Sequence, residues 1–129
     1  MKRKETRSGS PDSLVLIADY ITAIRVGDKD RLIGLRSPEF VMDFVYSDAF
    51  ADRPLTPAET SAFWPAWFAA FPERDYEVTR TIAAAEVVVV QWVFTGTHTQ
   101  ELGRPIFDSP QKPSGRTVCF RGVTIYDVD

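Results

Sequence analysis

Cysteine and histidine are scarce: Cys119 and His98 are the only examples in 129 residues. A single thiol cannot close a disulfide within the chain, which fits a reducing cytoplasm, the expected location, or simply a chain that does not need the bond. One histidine with one cysteine is too few ligands for a structural zinc site. The chain also lacks a glycine-rich phosphate loop, a dinucleotide fingerprint and any internal repeat. No metal or cofactor is therefore expected. No apolar run is long enough to span a membrane, and none follows the basic residues Lys2, Arg3, Lys4 and Arg7, so neither a membrane anchor nor a signal peptide is expected. Positive charge is in short supply as well. Fifteen Lys and Arg stand against 18 Asp and Glu, giving a net charge of −3 and a pI of about 5.2. A nucleic-acid partner is not expected from that balance.

What is present suits one soluble globular domain. Apolar residues make up 44 % and charged residues 26 % of the chain. A chain of this length buries roughly two thirds of its unfolded surface without help from a disulfide or metal. Met1 to Gly9 reads as a disordered basic tail, and residues 10–129 as a single domain.

Ser10-Pro11 opens a helix that carries Leu14, Ile17, Ala18, Ile21 and Ile24 at helical spacing, with Tyr20 bordering the stripe. Gly27 ends it, and Asp28 caps a short second helix through Leu32 and Leu35. Glu39 to Tyr46 alternates as a strand, with Phe40, Met42, Phe44 and Tyr46 on one face. Thr56-Pro57-Ala58-Glu59 is a capping box. The helix behind it sets Phe63, Trp64, Trp67, Phe68 and Phe71 on one side, and Pro65 predicts a kink or a late start. Tyr76 to Ile82 reads as a strand of mixed polarity.

The strongest strand signal runs from Glu86 to His98. Val88, Val90, Trp92, Phe94, Gly96 and His98 share one face, expected to look inward at the helices and to wall a hollow. A long loop with three prolines, Thr99 to Ser114, is of the lid or binding type. Arg116 to Asp127 is the last strand. The order predicts an α+β fold with helices gathered on one face of an antiparallel sheet.

Phe94-Thr95-Gly96-Thr97-His98-Thr99 and Pro113-Ser114-Gly115-Arg116-Thr117-Val118 resemble the SnoaL-like polyketide cyclases of the NTF2-like superfamily. So do Phe68-Ala69-Ala70-Phe71-Pro72 and the stretch from Tyr20 to Asp28. The resemblance covers roughly residues 14 to 128. It implies a cone-shaped α+β barrel whose apolar interior holds a small ligand, usually as a dimer. It fits several activities, because the superfamily includes cyclases, isomerases, dehydratases, hydrolases and binding modules. The family pattern continues past the position of Asp129 into a further strand that often carries an acid/base residue. The expectation here is a sheet lacking that final strand. In the related ketosteroid isomerases a first-helix tyrosine falls at Tyr20, but their base falls at Phe44 and their second acid near Val123 or Thr124.

Two catalytic candidates follow. His98 is either a general base or hydrogen-bond donor at a pocket mouth, or a strand-end histidine bonded to a loop backbone. Tyr20 either polarises a ligand carbonyl or packs in the core with its hydroxyl at the rim. Phe40, Phe44, Tyr46, Trp64, Trp67, Phe68, Trp92 and Phe94 are core rings that would also suit a flat apolar or polycyclic ligand. Asp43, Asp48 and Asp52 read as surface charges. Arg121 is expected to pair with an acid on the outer face, and Cys119 to lie at a dimer contact. The expected function is a cofactor-independent cyclase or isomerase acting on a hydrophobic, oxygenated substrate. The alternative is a non-catalytic ligand-binding or dimerising module. A small apolar ligand and a second copy of the chain are the expected partners.

Overall fold

Helices are set by their caps and strands by their apolar alternation. In a computed structural model the described residues are 11–44 and 53–128. The basic tail, Tyr46, Asp48 and Asp52 lie outside them. Helix α1 spans Pro11–Val26, α2 Lys29–Gly34 and α3 Pro57–Ala70; strands follow at Glu73–Ala84 (β1), Val87–Thr97 (β2) and Thr117–Asp127 (β3). No helix among them is long and apolar enough to cross a membrane.

The start signals act as their chemistry requires. Asp28 accepts the Arg31 N–H at 3.0 Å, capping α2. Thr56 and Glu59 exchange the two bonds of a capping box at the head of α3. Arg53 donates to the Glu59 carboxylate, and that bond with the Thr56 N–H holds the carboxyl down to about 2. The late start predicted from Pro65 does not occur, because α3 begins at Pro57 and Pro65 lies inside it. Gly27 ends α1 at φ +78°, and a side chain there would meet the Arg74 guanidinium.

The sheet is antiparallel in the order β1-β2-β3. β2 pairs along its whole length with both neighbours, Val88 opposite Tyr126 and Phe94 opposite Phe120. On the β1 side the ladder slips between Val78 and Arg80, a bulge at Thr79. The inner face of β2 is the predicted one: Val88, Val90, Phe94, Gly96 and His98 are buried and Trp92 half-buried. Ile17, Tyr20, Ile21 and Ile24 of α1 and Phe63, Ala70 and Phe71 at α3 complete this core.

One predicted strand, Glu39 to Tyr46, does not form over its described part. Residues 39–44 form no ladder. Their alternation is real, but their backbone is held elsewhere. The Met42 N–H donates to the Thr60 hydroxyl (3.2 Å) and Met42 O accepts from Leu55 N–H (2.8 Å). A period-2 pattern makes a strand only where a neighbouring strand takes its hydrogen bonds. Here a helix and a loop take them.

Candidate functional site

The inner face of the sheet has two polar ends. At the first, Tyr20 projects from α1 and is 2 % exposed. The Arg36 Nε–H donates to its hydroxyl oxygen at 2.8 Å. The Arg36 guanidinium also lies 5.7 Å over the Tyr20 ring and 4.8 Å over Phe40. Tyr126, on β3 opposite Val88, meets the Tyr20 ring edge-on at 5.7 Å. Tyr76 of β1 stacks on Trp92 at 5.3 Å, and the Trp92 Nε1–H donates to Thr124 at 2.9 Å. Three tyrosines on three elements thus face one small region with Arg36, Thr124 and Trp92.

Burial raises all three phenols. For Tyr20 the charge and hydrogen bond of Arg36 pull part of the way back. For Tyr76 burial dominates, with the nearby Thr124 hydroxyl opposing it and Tyr20 adding to it. Tyr126 is pushed well above the ordinary range by burial first and then by Tyr76 and Tyr20. All three are therefore neutral near pH 7 and available as donors. An oxygen that already accepts from an arginine has its own proton polarised for donation. Neutral phenols held this way are hydrogen-bond donors of the kind that polarises a carbonyl or enolate oxygen.

The second polar end belongs to His98, which is 9 % exposed. The Ser114 N–H donates to its Nδ1 at 3.3 Å. A nitrogen that accepts carries no proton, so the neutral ring bears its hydrogen on Nε2. That Nε2 is buried and has no partner among the described residues. His98 is thus bonded to a loop backbone, the second of its two predicted roles. With Nδ1 occupied and Nε2 protonated it is a donor rather than a base in this arrangement.

Tyr20 and His98 lie on the same side of the sheet but do not meet. Tyr20 packs on Tyr126, which pairs with Val88; His98 follows the last residue of β2. Ten positions at about 3.3 Å each separate those rows along the strand. A single centre using both residues is not formed.

Of the ring residues predicted around a ligand, Phe94 is buried and Phe40, Phe44, Trp64, Trp67, Phe68 and Trp92 are half-buried. They meet one another. Trp67 lies 5.4 Å and Phe71 5.3 Å from Phe94, and Trp64 stacks on Phe68 at 5.7 Å. Among the described residues two depressions can be named. One, of about 510 Å³, opens on the outer face of the sheet near Gln91, Val93, Arg121 and Val123, with Gly122 and one of these rings, Trp92, also lining it. The other, of about 330 Å³, lies between α1 and β1 near Ile17, Ile21 and Val78. Asp43 is exposed. Cys119 is a free, exposed thiol. The pairing predicted for Arg121 is not made among the described residues. The acid in its row is Glu77, two strands away beyond Val93. Among the described residues no cluster of three His, Cys, Asp or Glu side chains is placed to hold a metal.

Arg36, Tyr76 and Tyr126 were missed by reading the sequence for site residues. Tyr126 and Thr124 share a strand face with Gly122, a signal that was present. Nothing local marks Arg36, whose role depends on α1 and α2 packing together.

Comparison with known proteins agrees with this fold. The model of the SnoaL-like polyketide cyclase family matches residues 35–129. AclR, a proposed hydroxylase from Streptomyces galilaeus, superposes with a TM-score of 0.72 at 23 % identity, covering 90 % of this chain and 66 % of AclR. A proposed SnoaL-like polyketide cyclase from Jannaschia sp. CCS1 gives 0.68 at 22 %, covering 93 % and 81 %. IdmH, a proposed polyketide cyclase from Streptomyces antibioticus, gives 0.64 at 22 %, covering 88 % and 81 %. The chain therefore spans just under two thirds of AclR's length. No curated protein matches it.

Proposed function

The chain belongs to the SnoaL-like polyketide cyclase family, and from that premise we propose that it acts on a hydrophobic, oxygenated small molecule by general acid chemistry of the cyclase or isomerase type. The observation that carries this reading is the 2.8 Å bond from Arg36 to a buried Tyr20 hydroxyl, beside two more buried tyrosines. A substrate carbonyl directed at Tyr20 would receive its polarised proton or hydrogen bond as negative charge develops on oxygen. The half-buried Phe40 ring, 6.3 Å from that of Tyr20, gives a flat apolar ligand a ring surface at this end. His98 stands outside this site, at the far end of β2.

Binding of naphthols, flat phenols that mimic an enolate, tests the reading by thermal shift. Wild type is expected to be stabilised, and Tyr20→Phe and Arg36→Met to lose most of that shift while still folding. Equal shifts in all three proteins would sink the proposal. Stabilisation of the wild type without turnover of any carbonyl substrate would favour the non-catalytic, ligand-binding alternative.

A second copy of the chain is also proposed, packed on the outer face of the sheet. Ile82, Val123 and Ile125 are 47 %, 57 % and 66 % exposed there, an apolar patch of the kind that marks an interface. A two-fold axis parallel to the strands would set Glu77 of one copy over Arg121 of the other, supplying an acid that Arg121 lacks among the described residues. Sedimentation of Ile125→Lys against wild type checks this, and identical masses for the two would remove it.

A further inference from the structure

Helix α1 is not fully covered by the sheet. Leu14, Ile17, Ala18, Ile21 and Arg25 recur at helical spacing, so they form one row down the helix. That row and Val78 of β1 line the groove of about 330 Å³. Ile17 and Ile21 are buried at its floor, while Leu14 is 39 % exposed and Ala18 is exposed at its rim. The row is apolar until its last member. Arg25 crosses from helix to strand, where its Nε–H donates to Tyr76 O at 3.0 Å and closes that end of the groove. This bond fixes the guanidinium but leaves its two terminal nitrogens without a partner among the described residues. Other arginines of the fold use theirs: Arg31 on Asp19, Arg53 on Glu59 and Arg36 on Thr60 O.

We propose that this groove binds a medium-chain fatty carboxylate, with the alkyl chain along α1 and the carboxylate on the terminal nitrogens of Arg25. Its volume is at the small end for ligand pockets, which start at about 300 Å³. From Leu14 to Arg25 the helix rises about 16 Å, within which an extended decanoate fits. An alkyl chain needs no hydrogen bond and covers the Leu14, Ile17 and Ile21 surface from water. A guanidinium already oriented by one bond loses little freedom in taking a carboxylate on its other edge. Among the described residues no acid lines the groove to compete for it. A peptide strand fits less well, because the β1 edge is guarded here. Tyr76 O is taken by Arg25, the Tyr76 N–H donates to the Asp75 carboxylate at 2.9 Å, and the ladder slips at Thr79. The residues ahead of α1 carry the wrong sign for Arg25, since Lys2, Arg3, Lys4 and Arg7 are cations too. The site is independent of the one proposed around Tyr20.

Amide NMR of the full chain, titrated with decanoate below its micelle concentration, tests the assignment. Saturable shifts centred on Leu14, Ala18, Arg25 and Val78 are expected. Decanol has the same chain without the charge and decylamine has the opposite charge; both are expected to bind about fivefold or more weakly. Arg25→Gln should weaken decanoate by the same factor and leave decanol unchanged. Ala18→Glu, at an exposed helix position, should fold normally and weaken decanoate more than decanol. Tyr20→Phe should bind decanoate as wild type does, which separates this groove from the polarising site. No saturable shift, shifts centred instead on Val123 and Ile125 of the outer face, or equal affinity for decanoate and decylamine would overturn the proposal. So would an Arg25→Gln protein that binds decanoate like the wild type. If Arg25→Gln fails to fold by circular dichroism, the three probes on wild type decide alone.

Discussion

At the Val88 end of β2 the buried polar groups have partners, whereas at the Thr97 end two buried donors, His98 Nε2 and Arg74 Nε, have none among the described residues. Arg74 stacks on Phe68 at 4.4 Å and bonds Phe71 O, but its Nε hydrogen is stranded. A stranded donor costs about 1–3 kcal/mol, while a satisfied bond contributes about 1. The tyrosine end is thus held in one arrangement by its own hydrogen bonds and rings. The histidine end already carries a penalty, so an alternative loop position there costs less. The proposed site of ligand polarisation lies at the first end for that reason.

The contrast is tested hardest by alkali. Tyr20, Tyr76 and Tyr126 all have phenols raised above their unfolded value near 10, with burial the leading cause. A raised folded value means stability is fully present below pH 10 and lost as pH climbs past it. With three groups resisting together, the loss should approach about 4 kcal/mol per pH unit above about 10. Absorbance at the phenolate band should show three of the four tyrosines ionising only as the protein unfolds. Three tyrosines titrating freely near pH 10 in the folded protein would break the contrast.

A packing change at the same end comes next. The Trp92 indole lies directly over Gly122, its cross-strand partner, so that any side chain at 122 meets ring atoms. Gly122→Ala must push the indole off and strain its bond to Thr124. A loss of about 2–3 kcal/mol in urea denaturation is expected. A change below about 0.5 kcal/mol would mean the ring is free to move.

Arg36→Met sharpens the electrostatic side. It keeps the stem and removes the donor to Tyr20 and the charge over Phe40. The expected loss is about 1–2 kcal/mol, with a second sign that packing alone would not produce. Because Arg36 pulls the Tyr20 phenol down, its removal should send that phenol higher. Unchanged alkaline titration would show that the guanidinium does not act on Tyr20.

Much of this frame could be read from residue order. Strand β2 follows from six alternating inward positions, and the heads of α2 and α3 follow from Asp28 and Thr56. These are local rules, in which the residues that decide the outcome sit within a turn of one another. Tyr20 stood out for the same reason, as a polar ring at the edge of an apolar stripe. Its partners did not, because Tyr76, Tyr126 and Arg36 reach it from three separate elements and only the fold sets their register. Glu39 to Phe44 fails in the opposite sense. It has local alternation without a neighbouring strand, and the pattern cannot report that absence.

The smallest effect should come from His98→Phe. The substitution deletes the stranded Nε2–H, which relieves about 1–3 kcal/mol, and deletes the acceptor for Ser114, which costs about 0.5–1.5. A phenyl ring of similar size keeps the contact with Phe71. The two terms oppose: their central values leave a net gain of about 1 kcal/mol, and a global loss should not exceed about 0.5 kcal/mol, even as the loop loosens locally. That is well below the change expected from Gly122→Ala. A loss of about 3 kcal/mol or more would mean that the Nε2–H has a strong partner after all. The two ends of β2 would then be alike.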